Sequence, residues 1–333
     1  MRKLWLFISI FILMSGFSIS NAAEWPERPI TNVVFSSPGG GTDTTNRALA
    51  AAMEKLIGKP VKVVNMTGGG GGIAADYVWK QPHDGYYWLG ASETLLSMCV
   101  MGAHFTTTKD WEYFVCMGAP GPISVKTDSP FKTFEDLQKA VKEKPGEIKI
   151  ASSSSSSIWS IKMGVVRKYA GFEYKPMPYN GSGPSQVAVL TGEVDACHTS
   201  IGEQAELIRG GKLKPLIMVD NVPANFPGVG TIRPITDFYP QLIPYFPLPQ
   251  WLGFMLPKDT PKPILEKITD AYKKALETET IKKLAETTSS TLYGKSGEEA
   301  KEMVRNLEKV STWLLFELGV AKKSPAEFNI PKP

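Results

Sequence analysis

The segment Ser36-Ser37-Pro38-Gly39-Gly40-Gly41-Thr42-Asp43 sets hydroxyls and three consecutive glycines between a β-branched run and a helical pattern. Glycines let the backbone turn through positive φ and present successive N–H groups, and a helix start adds partial positive charge. The chemistry this offers is anion binding. A purely local reading also exists, in which Asp43 or Thr42 caps the helix. The two are compatible, since a cap residue orients the loop while other N–H groups face outward. The spacing lacks the Lys-Ser/Thr pair of a phosphate-binding P-loop, and Asn65 stands where a dinucleotide fingerprint needs an acidic residue. A carboxylate suits this loop better than a nucleotide.

Three further segments repeat or extend the theme. Gly68 to Gly72 also lies between a strand and a helix, but with no Lys or Ser/Thr following its glycines it reads as a cleft-edge turn. Tyr179-Asn180-Gly181-Ser182-Gly183-Pro184-Ser185 precedes a helix and combines free N–H groups with hydroxyls, as the first loop does. Ser152 to Ser157 is a run of six serines, which in isolation suggests a linker. Between two regular elements it is expected to line a cleft. Trp159 just beyond it either stacks on an aromatic ligand or belongs to the core.

Catalysis finds little support. His83, His104 and His198 supply bases, but no G-x-S-x-G nucleophile elbow accompanies them, and Gly181-Ser182-Gly183 has the wrong spacing. Cys99, Cys116 and Cys197 lack the short paired spacings of zinc sites and read as buried, inert thiols. Neither a metal nor a cofactor is expected.

The elements that must position these loops alternate. Thr31 to Phe35, Val61 to Val64, Tyr87 to Gly90, Ile123 to Val125, Ile148 to Ala151, Leu216 to Val219 and Trp251 to Leu256 read as strands. Between them apolar residues recur at helical spacing, as at Leu49, Ala52, Met53 and Leu56. This is an α/β pattern with mostly parallel strands. Val222 to Pro249, rich in proline and aromatics, reads as a long irregular connection. Two crossings, near Pro122 to Thr127 and near Gln250 to Leu256, would make the middle of the chain one lobe and its two ends the other. Ligands usually sit between such lobes.

Composition narrows the compartment and the partners. With 333 residues, 42% hydrophobic and 21% charged, the chain is ordinary globular protein of about two domains. Arg2 and Lys3, the apolar run Leu4 to Ile19 and the small residues Ser20 to Ala23 form a secretory signal peptide. Its removal takes 37 basic residues to 35 against 33 acidic, a net charge near +2. That is too little to argue for nucleic acid. A soluble, periplasmic monomer is expected.

The order Trp25-Pro26-Glu27-Arg28-Pro29-Ile30, Pro38 to Asp43, Asp84-Gly85-Tyr86, Tyr179 to Pro184, Gly192-Glu193-Val194-Asp195 and Leu256-Pro257 to Pro261-Lys262-Pro263 resembles the tripartite tricarboxylate transporter substrate-binding proteins, or Bug receptors. The resemblance spans essentially the whole mature chain. It implies a periplasmic binding protein type II-like fold, with two lobes of mixed, mostly parallel sheets joined by hinge strands. Residues 24–124 and 251–333 would form lobe 1 and residues 125–250 lobe 2, closing on a small organic acid for delivery to membrane transporter subunits. By carry-over, Pro38, Gly40, Gly41, Thr42, Asp43, Gly181, Ser182 and Gly183 are expected to bind the ligand, and equivalent segments add Ser92, Ser157, Asp195 and Thr199. A receptor that signals to a sensor kinase would share every motif and differ only in its partner.

Departures from the family pattern concern selectivity. Ala91-Ser92-Glu93-Thr94 replaces a serine-rich segment, and His198-Thr199-Ser200 replaces a Phe-Asp-Ser stretch. If Glu93 points into the cleft, it repels a second ligand carboxylate by ~4 kcal/mol at ~4 Å and an effective dielectric near ~20. It would then favour a donor or cationic group. Otherwise it faces solvent or caps the following helix.

Overall fold

The structure is a computed structural model and describes residues 25–333; the expected signal peptide lies outside the described residues. Strand β1 (Ile30–Val34) leads through the glycine loop into α1 (Gly41–Ile57), then β2 (Val61–Asn65), α2 (Gly72–Trp79), β3 (Tyr87–Ser92), α3 (Met98–Met101) and β4 (Trp111–Gly118). The chain then crosses to β5 (Pro122–Lys126), α4 (Phe134–Glu143), β6 (Lys149–Ser152), α5 (Ile158–Ala170), β7 (Lys175–Pro178), α6 (Ser182–Thr191), β8 (Ala196–His198), α7 (Ile201–Arg209) and β9 (Leu213–Met218). A small hairpin, β10 (Ala224–Phe226) and β11 (Gly230–Ile232), precedes the return through β12 (Leu252–Pro257), α8 (Lys262–Leu276), α9 (Glu279–Thr287), β13 (Thr291–Ser296) and α10 (Gly297–Glu317).

Two mixed sheets result, ordered β13-β4-β12-β3-β1-β2 and β7-β6-β8-β5-β9. The pairs β1/β2, β1/β3, β6/β7 and β6/β8 are parallel, as strand–helix–strand connections require. The antiparallel pairs follow from the crossings. Strand β12 returns to its sheet from the cleft side and so runs against β3 and β4, and β5 enters the other sheet likewise against β8 and β9. The crossings lie side by side, tied by the Ala119 N–H donating to Gln250 Oε1 at 3.1 Å.

Aromatic stacking fixes the central strands. Phe254 lies between Phe114 at 4.5 Å and Trp88 at 4.6 Å, nearly parallel to both. Beside it Gly253 is obligatory, because a Cβ there would stand 1.9 Å from the Phe114 carbonyl oxygen. That absence of a side chain brings β12 close enough for its backbone to support α1. The Asn46 amide donates to the carbonyls of Thr42 and Gly253, both at 2.8 Å, and accepts from Asn32 at 2.8 Å. A buried polar network thus holds the start of α1 against the sheet.

Some elements escaped the sequence pattern. β4 is buried on both faces, so its run Trp-Glu-Tyr-Phe-Val-Cys-Met shows no alternation to mark it. The segment 222–249 is irregular as expected but contains the β10/β11 hairpin. The three cysteines are free and buried, and burial pushes each thiol up to about 12.

Candidate functional site

The first loop folds as an anion cradle whose bracing differs from the capping expected. Gly40, not Asp43 or Thr42, is the N-cap of α1, and it provides no side-chain cap. Asp43 instead faces back into the loop. Its Oδ2 accepts from the Gly39 N–H at 2.9 Å and from Arg47 Nε at 3.0 Å, and its Oδ1 accepts from Asn65 Nδ2 at 2.8 Å. Asn65 also donates to the Ser36 carbonyl at 2.9 Å. Burial works against the charge on Asp43, but hydrogen bonds from Arg47, Gly39 and Asn65 outweigh it and hold the carboxyl below its ordinary range. Asp43 is therefore a brace outside the cleft lining, and the first-turn N–H groups are left for something else.

That something would sit in a cleft between the lobes, a cavity of about 70 Å³. Lobe 1 contributes Gly40, Gly41, Thr42, Ser92, Glu93 and Thr94, and lobe 2 contributes Ser153, Ser154, Trp159, Gly181, Ser182 and Glu203. Gly181, at φ 118°, is the N-cap of α6 and, like Gly40, offers no side-chain cap. The next donors, Thr42 and Asp43 in α1 and Ser182 and Gly183 in α6, have no intrahelical acceptor. Two uncapped helix starts thus flank one cavity, each with its positive end toward it.

The lobes meet around this cavity. Ser37 Oγ donates to the Asn180 carbonyl at 3.0 Å, and a Cβ on Gly181 would stand 2.2 Å from Ser37 Oγ. Glu203 reaches across as well. Its Oε2 accepts from the Ser200 N–H at 3.1 Å, closing a capping box on α7, while its Oε1 accepts from the Gly41 N–H at 2.9 Å. Glu93 points inward, 5% exposed, and its Oε2 accepts from the Trp251 N–H at 3.2 Å. Burial, with the nearby charge of Glu203, pushes its carboxyl up to about 7 against the backbone hydrogen bonds that stabilise the charge. The solvent-facing alternative for Glu93 is thus overturned.

The remaining expected contacts lie outside the cleft lining. Pro38 is exposed on the loop's outer side, and Gly183 lies one residue beyond Ser182 in the first turn of α6. Ser157 caps α5 by accepting from the Ser160 N–H. Asp195 accepts from the Lys149 N–H at 2.8 Å and so ties the entry of β8 to β6. Thr199 is buried, its Oγ1 accepting from Gln204 at 3.1 Å and Gln186 at 3.3 Å. Of the serine run, Ser153 and Ser154 reach the cavity. Trp159 is both core and wall: it is 2% exposed, yet it borders the cavity.

Sequence reasoning missed Phe35, Thr67, Glu203 and Gln250 among the lining residues. The Ser200-x-x-Glu203 spacing announces a capping box, which accounts for one carboxylate oxygen and is silent about the other. The glycine cluster Gly68 to Gly71 also borders the cavity, with a Cβ on Gly71 only 2.2 Å from Leu95. No histidine or cysteine lines the cleft. Among the described residues no group of three or more His, Cys, Asp or Glu could hold a metal ion, and no helix is long and apolar enough to cross a membrane.

Comparison with known proteins agrees with this architecture. Residues 45–319 match the family model described as tripartite tricarboxylate transporter family receptor. BugT of Bordetella pertussis is 30% identical over 288 residues, covering 84% of this chain and 86% of its own. A protein of R. palustris solved with adipate superposes with a TM-score of 0.79 at 22% identity, over 90% of this chain and 99% of its own. MatC from Rhodopseudomonas palustris, solved with bound malate, gives a TM-score of 0.77 at 22% identity, over 87% of this chain and 100% of its own. At that identity these two structures establish a shared fold.

Proposed function

Because this chain belongs to the tripartite tricarboxylate transporter receptor family, we propose that it is a periplasmic receptor that captures a small organic acid and delivers it to a membrane permease of the tripartite type. The observation that carries the reading is the pair of uncapped helix starts, at Gly41 and Ser182, on opposite sides of one cavity. Each presents backbone N–H groups that lack an intrahelical acceptor, beside the hydroxyls of Ser36, Ser37, Thr42 and Ser182. A carboxylate held by both ends contacts both lobes at once. Its binding free energy therefore favours the closed arrangement and shifts the open–closed equilibrium. Ligands of the solved neighbours, adipate and malate, belong to the same chemical class.

In this mechanism the protein performs no covalent chemistry. Asp43, Arg47 and Asn65 keep the lobe 1 loop in its bound shape before the ligand arrives, which lowers the ordering cost of capture. Residues 24–124 and 251–333 would move as one body and residues 125–250 as the other, about the paired crossings at Ala119 and Gln250. The closed monomer is the form a permease would recognise.

A melting-temperature screen of mono-, di- and aromatic carboxylates tests the reading. A ligand at about 100 times its Kd adds about 2.7 kcal/mol of stability, enough for a clear shift. The reading requires at least one organic acid to stabilise the protein. Stabilisation by sugars alone, with every organic acid silent, would overturn it.

A further inference from the structure

Among the described residues two carboxylates border this cavity, and no Lys, Arg or His does. Each is placed by an independent structural device. Glu203 stands on the first turn of α7, fixed by its capping box, and its second oxygen already takes the Gly41 N–H, the first anion donor of the lobe 1 cradle. Glu93 follows β3 and is held in the cavity wall by the Trp251 N–H of the returning crossing. Neither is neutralised by a cationic side chain, since the ion pairs of the described residues involve neither group. Asp43, also close to the loop, is turned away and matched by Arg47.

A dianion entering here would meet one occupied donor and two acidic groups in a site of low dielectric, where like charges repel most strongly. A molecule with one carboxylate and one ammonium or N–H-rich end meets the opposite situation. Its carboxylate takes the first-turn donor of Ser182 in lobe 2, and its nitrogen end lies toward Glu93 and toward the Glu203 carboxylate that occupies the lobe 1 cradle. We infer that the cleft selects a zwitterionic or amine-bearing carboxylate over a dicarboxylate, with Glu93 and Glu203 as the acceptors for its nitrogen group. The inference rests on the solute-receptor reading and specifies the class of solute. The burial-raised Glu93 carboxyl is consistent with an uncompensated site that a bound cation would bring back toward ionisation.

Matched pairs that differ in one terminal group test it by calorimetric titration of the purified protein: 4-aminobutyrate against succinate, 6-aminohexanoate against adipate, and 4-(aminomethyl)benzoate against terephthalate. In at least one pair the amino acid should bind tenfold or more tightly than its dicarboxylate. In the double variant E93Q/E203Q, which keeps the side-chain shapes, that preference should fall at least tenfold. A dicarboxylate that binds wild type as tightly as, or more tightly than, its amino partner overturns the inference and leaves the receptor reading standing. An amino preference undiminished in the double variant also overturns it, because other groups would then read the nitrogen. Silence from all six compounds overturns this inference, and the receptor reading falls with it only if the wider carboxylate screen is silent as well.

Discussion

The two loops that flank the cavity start helices in the same way but are supported differently. The lobe 1 loop is tied at three points by Asp43 and again by Asn65 to the Ser36 carbonyl, while Asn46 anchors the helix behind it. The lobe 2 loop has the Gly181 N–H donating to the Ser153 carbonyl at 2.8 Å, the Ser185 hydroxyl bonded back to Gly181, and at its start the Tyr179 hydroxyl donating to the exposed Glu193 carboxylate at 2.8 Å. One side of the site is thus preorganised around a buried carboxylate, and the other keeps its shape through glycine backbone, serine hydroxyls and one exposed tyrosine–carboxylate contact. The difference separates two tasks. A rigid half defines where the carboxylate sits, and a more yielding half can adjust as the lobes close.

Removing the brace should have the largest effect on ligand capture. Asp43→Ala leaves the Gly39 N–H, Asn65 and the half-exposed Arg47 without their shared acceptor, and about 2 kcal/mol of stability should be lost in urea unfolding at neutral pH, together with ligand-induced stabilisation. Because the folded-state pKa of Asp43 lies below its unfolded value, its contribution is present above the ordinary value of 3.8 and lost as pH falls through the folded value. The variant's acid unfolding curve should lack that step.

Glu93 gives the opposite sign within the same lobe. Its carboxyl is raised from 4.5 to about 7, so its own contribution is fully present below 4.5 and is lost as pH rises through about 7. Glu93→Gln should abolish that decline, worth roughly 3 kcal/mol over the window, in urea midpoints measured between pH 4.5 and 8. A wild-type midpoint that stays level across the window would contradict a desolvated carboxyl at this position.

On the yielding side, Gly181→Val places a branched side chain where even a Cβ would stand 2.2 Å from Ser37 Oγ. Ligand affinity should fall about tenfold or more, ~1.4 kcal/mol, because Ser37 must turn aside and the seam between the lobes loosens, with a further ~1–3 kcal/mol of folding stability lost because φ 118°, ψ 166° is a conformation essentially confined to glycine. Titration compared with thermal unfolding separates the two. The smallest effect belongs to Ser37→Ala, which deletes one hydrogen bond across the lobes. About 1 kcal/mol or less should shift toward the open form, visible as a larger radius of gyration in solution scattering without ligand.

Much of this was legible beforehand because it depends on local chemistry. Glycines after β1 and before α6 mark helix starts that expose N–H groups wherever the chain places them, and the alternation of short strands with amphipathic helices follows from burial periodicity. Asp43 was legible as important but its role was not. Its partners Arg47 and Asn65 lie 4 and 22 residues away, and only packing of α1 on β2 directs the carboxylate inward rather than into the cleft. β4 was invisible for the complementary reason, since a strand buried on both faces carries no alternating signal.

The amino-acid sequence by itself determined that the protein is α/β, that its loops present backbone donors suited to a carboxylate, and that its motif order is that of the tripartite tricarboxylate transporter receptors. Only the tertiary structure decided which acids face the cavity. Glu203 lies 162 residues from the Gly41 N–H it accepts from, and Glu93 lies 158 residues from Trp251. Charge within a cleft is a property of side chains brought together from separate segments by the two crossings. No local pattern encodes which of two carboxylate oxygens remains free to reach across.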